Sequence, residues 1–241
     1  MAATVEGERL TGQHRRAQQV VRADQVRDTL SLWSMLDVGD IDARRGPWVE
    51  AMILSVREHH RESSALAGAY YRTFTAAELD ELRDIGRIRP TLDVDRLRGN
   101  LEITGPIRFK SLVGRGYEPS RAGRVAQVAA AGAASRFALN GGRDELLGQV
   151  RQDRRALGWQ RVGAEAPCAF CLMLISRGPV YKGQSTADFE SHDNCQCAAE
   201  PVMSEAAAWT SQAEQARATW DQVAAGDRDP LNALRRHLTA A

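Results

Sequence analysis

Cys168-Ala169-Phe170-Cys171 and, after 20 intervening residues, His192-Asp193-Asn194-Cys195-Gln196-Cys197 form the stretch on which the fold turns. Four cysteines and a histidine fall within 30 residues, and the rest of the 241-residue chain has no cysteine. Two residues between thiolates let both sulfurs turn toward one ion, while amides of the tight turn offset their charge. The N-terminus carries acids where a signal peptide needs a basic start and an apolar run. The expectation is a chain not exported by that route, in a compartment where clustered thiols hold metal rather than disulfides.

Five soft donors compete for four tetrahedral positions. The set Cys168, Cys171, His192 and Cys195 closes two compact loops around one ion. Cys197 can replace His192, because a strand through Cys195 and Cys197 turns both thiols to one face. Reduced thiols without metal are the alternative. Closure by four protein ligands makes the expected Zn2+ structural rather than catalytic. A turn-rich span from Trp159 to Val202 has little core of its own and gains most from such an ion.

Upstream of this span the periodicity is helical. Pro47 suits a first helical position, with Val49, Met52, Ile53 and Val56 following on one face, then Leu66, Tyr70 and Phe74. Thr75-Ala76-Ala77-Glu78 has capping-box spacing and predicts a new helix that ends near Gly86. Glycines and prolines between Gly86 and Pro119 predict loops with a strand around Leu101-Glu102-Ile103. Ser120 is the expected cap of a helix whose Val125, Val128, Gly132 and Leu139 share a face. Its Ala129 to Ala134 run permits close helix approach, and Gly141-Gly142 ends it before a further helix through Leu146, Val150 and Leu157.

Downstream, Trp159-Gln160-Arg161-Val162 and Val180-Tyr181 predict short strands. Trp209, Ala213, Ala216, Trp220 and Val223 recur at helical spacing up to Gly226 and Pro230, and a last helix carries Leu234 and Leu238. The fold class is therefore mainly α with a small α+β zinc-stabilised C-terminal module. Its expected divisions are a helical domain over 1–155, the Cys/His module over 156–202 and C-terminal helices over 203–241. No apolar run is long enough to span a membrane.

A formal net charge of +1 argues against gripping nucleic acid by bulk charge, but the charge is uneven. Gly105 to Arg143 holds seven basic residues against the single acid Glu118, whereas Gly183 to Pro230 holds nine acids against Arg217 and Arg228. Such poles invite docking, with a solvated face as the default. Of the 32 basic residues 30 are Arg, a bias that reflects a GC-rich genome more than a binding role.

Gly158-Trp159-Gln160-Arg161-Val162, Pro167-Cys168-Ala169-Phe170-Cys171, Ser176-Arg177-Gly178-Pro179-Val180-Tyr181 and His192-Asp193-Asn194-Cys195-Gln196-Cys197 together resemble the MuF-like head-morphogenesis proteins of tailed phages, closest to the actinobacteriophage branch. The motif match covers residues 155–202, and the N-terminal half matches in character only. The resemblance implies a minor capsid protein of the procapsid, encoded beside the portal gene and found in virion or procapsid, and in the host cytoplasm during assembly. It implies portal protein, major capsid or scaffold protein as partners, with non-specific contact to packaged DNA as a further option and no membrane. Some members of the branch are labelled capsid maturation proteases.

This chain has no Gly-x-Ser-x-Gly and no His-Glu-x-x-His, so a protease is the runner-up to a structural protein. A zinc-braced nuclease reading of His192-Asp193-Asn194 is weaker, because such chemistry needs a further downstream His and only His237 follows. Asp193 and Asn194 suit a turn that brings His192 to Cys195. His59 and His60 sit on the apolar helix, where a packed histidine is the simpler reading.

Overall fold

In the computed structural model the described residues are 2, 4–36, 39–82, 85–164, 166–181, 188, 189, 191–205 and 209–240. Gly183 and Glu190, counted above among turn and acidic residues, lie outside them. Three long helices carry the architecture: α1 (Val5–Leu32), α2 (Ile41–Leu79) and α5 (Pro119–Gln152) pack pairwise on one another. Short helices α3 (Val94–Glu102) and α4 (Arg108–Gly114) cover one end. There Trp48, Met52, Val56, Leu97, Leu101 and Phe109 form a dry cluster with alanines of α5. Among the described residues no helix is long and apolar enough to cross a membrane.

The mainly α class with a small sheet holds, but helix boundaries depart from the sequence reading at several places, and Leu157 lies beyond α5, which ends at Gln152. Helix α2 begins at Ile41, so Pro47 lies inside it; Gly46 has no Cβ to clash with the proline ring, which lets the helix pass. It does not restart at Thr75, whose buried hydroxyl donates back to the Tyr71 carbonyl at 2.9 Å, while Glu78 accepts from the Thr4 amide at 3.1 Å and its hydroxyl at 2.8 Å. Leu101-Glu102-Ile103 is helix rather than strand. Asp93 caps α3, Leu97 and Leu101 bury one stripe, and a π-helical turn over Ile103–Ile107 absorbs Pro106 before α4.

Helix α5 is capped by Glu118, which accepts from the Arg121 amide at 3.1 Å, with Pro119 at the first position and Ser120 inside. Its buried face is alanine-rich in the N-terminal half and carries Leu139, Leu146, Leu147 and Val150 further on, while Val128 points to solvent. Gly141 and Gly142 do not end it. A Cβ at Gly141 would lie 2.1 Å from the His60 carbonyl oxygen, so these glycines mark the place where α2 and α5 touch backbone to backbone.

After α5 the chain builds a three-stranded antiparallel sheet in the order β2-β1-β3, from β1 (Gly158–Val162), β2 (Val180–Tyr181) and β3 (Ala198–Val202). The two predicted strands are β1 and β2; β3 escaped notice because Ala198-Ala199-Glu200-Pro201-Val202 has no alternation. Trp159 and Ala199 seat the sheet on Tyr71, Leu146 and Leu147. Helix α6 (Ala169–Ile175) packs its Leu172 and Ile175 on α7 (Ser211–Val223) and α8 (Pro230–Ala240), where Leu234 is fully buried.

The buried positions of α1 are Gly7, Thr11, His14, Gln18, Val21, Gln25 and Thr29, a polar stripe. Thr11 donates to the buried Glu200 carboxylate on β3 at 2.5 Å, and Gln18 donates to the Ser63 carbonyl at 3.0 Å. His14 stacks on Tyr70 with centroids 4.4 Å apart, and burial lowers its pKa to about 4. Between the ordinary value of 6.5 and about 4, the unfolded chain binds a proton that the folded chain refuses. Stability therefore falls as pH falls through that window, by up to about 3 kcal/mol. Glu200, its pKa raised by burial, works the other way and loses stability as pH rises. His14→Phe keeps the ring on Tyr70 and is expected to flatten the acid-side loss in urea melts between pH 6.5 and 4; a slope unchanged from wild type would assign the loss to other groups.

Candidate metal centre

Cys168 immediately precedes α6 and Cys171 lies in its first turn, so the helix that buries Leu172 and Ile175 fixes both thiols. The second half arrives on a turn: the Cys195 amide donates to the His192 carbonyl at 3.0 Å, with Asn194 at φ 64°. Asparagine tolerates that left-handed region better than most residues. This is the turn expected from Asp193-Asn194. It rests against α5 at Gly132, where a Cβ would come within 2.7 Å of the Asn194 amide nitrogen.

The five predicted donors fall into two groups that meet at Cys171. His192 Nε2 lies 3.2 Å from Cys168 Sγ and 3.3 Å from Cys171 Sγ, and Cys171 Sγ lies 3.8 Å from Cys195 Sγ. Cys168, Cys171 and His192 form one group, and Cys171, Cys195 and Cys197 a second, with ligand atoms in each within 4.8 Å of one another. Cys171 belongs to both. Two sulfurs bound to one tetrahedral zinc sit about 3.8 Å apart, so the Cys171–Cys195 spacing is that of a shared ion. Cys195 and Cys197 are not on a strand, since β3 starts only at Ala198, yet both thiols still face Cys171.

The histidine is oriented for the same task. Its Nδ1 lies 2.6 Å from the Asp193 carbonyl oxygen. That oxygen can only accept, which assigns the proton to Nδ1 and leaves the Nε2 lone pair facing the sulfurs. Hydrogen bonds from the Cys171 and Cys197 thiols hold the Cys195 thiol below its ordinary range, and the Arg143 charge adds to this against burial. The same sharing pushes Cys171 up. Thiols crowded this way, with an aimed imidazole, can hold a soft metal ion.

Helix α5 supplies the surrounding shell, which the sequence reading missed. Buried Arg143 donates to the Cys195 carbonyl at 3.0 Å and to the Cys197 carbonyl at 3.1 and 3.3 Å. Arg136 pairs with Asp193 at 2.9 Å, and Ser191 donates to Asn140 at 3.0 Å. Arg143 and Arg136 were counted in a solvated basic stretch. The available signal was position: Arg143 follows the two glycines of a small-residue helix face. His59 and His60 are packed histidines, as expected, with His59 Nε2 3.0 Å from Asp28 and His60 depressed in pKa by burial.

Residues 8–223 match the VG15 protein family. The chain is also similar to the Gene 15 protein of Mycobacterium phage D29, 26% identical over 195 residues, with 60% of this chain and 70% of the relative covered. No solved structure matches the chain.

Proposed function

This chain belongs to the VG15 protein family, a phage family, and from that premise we propose that it is a minor capsid protein acting structurally in head assembly. The family match across most of the chain carries the reading, and the MuF-like motifs of residues 155–202 give it its specificity. On this reading a structural Zn2+ is held by four of Cys168, Cys171, His192, Cys195 and Cys197. The ion supplies a cross-link and no open coordination position. Cys168 and Cys171 anchor α6 to it, and His192 and Cys195 bring the turn that meets α5.

Partners on this reading are portal protein and major capsid or scaffold protein. Arg108, Arg115, Arg121 and Arg124 remain exposed for an acidic portal surface or, non-specifically, for DNA phosphates. The weaker nuclease reading needs His192 as a base, yet one ring nitrogen faces sulfurs and the other a carbonyl.

A second reading, capsid maturation protease, has one contact in its favour. Cys168 is exposed and within 3.2 Å of an imidazole whose other nitrogen is fixed, the spacing of a thiol nucleophile and its base. By contrast Ser55, Asp28 and His59 converge with the carboxylate in the middle, which leaves the serine and the histidine each bonded to Asp28. Co-expression with the cognate portal, capsid and scaffold proteins separates the readings. The expected result is uncleaved heads with this chain co-purifying with portal, and an association that weakens above about 0.5 M salt, where screening acts within a few Å. Head-protein processing that requires this chain and vanishes in a folded Cys168→Ser variant would replace the structural reading with the protease.

A further inference from the structure

Among the described residues, no acid hydrogen-bonds or ion-pairs with the cation that faces the cysteine cluster from α5. Arg143 is 4% exposed, and its guanidinium donates to the carbonyls of Cys195 and Cys197 and, at 2.8 Å, to the Asn140 side chain. Those partners are neutral. Its ring contact, Phe189 at 5.0 Å, is neutral too; Asp144, next in sequence, attracts Arg143 but makes no hydrogen bond or ion pair with it. A second buried cation, Arg161, lies over the same Phe189 ring, 3.7 Å from its centroid. Buried charges persist where an opposite charge compensates them. Among the described residues, the groups that attract Arg143 from this side of α5 are the thiols of Cys195, Cys197 and Cys171.

We propose that Arg143 is the buried counter-ion of an anionic metal–thiolate centre with at least three thiolates, and that it locks the metal-bearing turn to α5. The inference rests on the metal reading above, in which any four of the five donors include at least three cysteines, and adds the group that balances their charge. A divalent ion with two thiolates and neutral ligands carries no net charge and gives a buried guanidinium nothing to balance. With three thiolates the centre carries one negative charge, which Arg143 matches. Of the two donor sets weighed above, Cys168-Cys171-His192-Cys195 carries one negative charge and Cys168-Cys171-Cys195-Cys197 two, and both include Cys171 and Cys195. The fork of Arg143 also reaches two carbonyls two residues apart, so the charge balance and the placement of Cys195 and Cys197 depend on one side chain of the long helix.

The test uses the full chain, loaded with zinc or cobalt, in wild type, Arg143→Met and Arg143→Lys. Cobalt-loaded wild type is expected to show a sulfur-to-metal charge-transfer band with the intensity of three or more thiolates. Zinc affinity, measured by chelator competition, is expected to fall by about 10- to 100-fold in Arg143→Met, the usual range for losing a partner of the ligand shell. Arg143→Lys keeps the charge and is expected to stay within about three-fold of wild type, under 1 kcal/mol. An Arg143→Met affinity equal to wild type overturns the proposal while leaving the metal site in place, and a two-thiolate spectrum overturns the four-donor set together with it. Should Arg143→Met not fold, the lysine variant decides, since a ten-fold loss there shows that the bonds rather than the charge matter. Wild-type protein that binds neither ion overturns the metal reading and this inference together.

Discussion

Gly141→Ala is expected to destabilise the fold by about 3 kcal/mol, at the top of the range for forcing extra volume into a packed core. A new Cβ there meets the His60 carbonyl oxygen at 2.1 Å, and neither partner is a side chain that can swing away. Helices α2 and α5 must separate along a contact that also includes Gly142 against Ser63. In a chain of this length the change corresponds to a lowering of Tm by about 6 to 12 °C. Alanine at Gly114, where nothing lies within 4 Å, is the control and is expected to leave Tm unchanged or slightly raised. Equal melting of Gly141→Ala and wild type would mean that the two helices do not approach as closely as described.

Cys171→Ser is expected to have the largest effect of any cysteine replacement, because Cys171 is the donor common to both groups. Loss of a structural ion ranks among the mechanisms that exceed about 4 kcal/mol. The variant should contain no zinc, and amides of α6 and β3 should exchange with solvent much faster while those of α2 keep their protection. Stoichiometric zinc in Cys171→Ser would show that the shared donor is not a ligand. The same metal analysis on Cys197→Ser divides the ligand sets: retained zinc keeps His192 in the shell, and lost zinc puts Cys197 there.

The residues of the candidate centre were legible in the sequence because cysteine is rare in this chain and its spacing is short. Helix ends were not. Thr75 and Glu78 have the spacing of a capping box, but that spacing recurs wherever a buried threonine bonds back to the preceding turn. Gly141-Gly142 has the composition of a stop and the role of a close contact, and only the partner helix distinguishes the two. Leu101-Glu102-Ile103 looks extended in isolation; Asp93 and Leu97 decide otherwise from several residues upstream. The shell around the cysteines was hidden for a related reason. Arg136, Asn140 and Arg143 recur at helical spacing on α5, more than 50 residues from the carbonyls that Arg143 holds, and no local pattern marks such a pairing.

Thr11 and Glu200 are 189 positions apart in sequence and 2.5 Å apart in space. At about 5–20 residues per second, roughly ten to forty seconds of translation separate the two ends of that hydrogen bond. Helix α1 can dock on α2 through His14 and Gln18 in that interval, but the Thr11–Glu200 bond waits for β3. A leucine-rich stripe left open for so long would invite association with neighbouring nascent chains. The stripe this helix presents, with His14, Gln18 and Gln25, is one that water can satisfy until α2 and, at Thr11, β3 emerge to replace it.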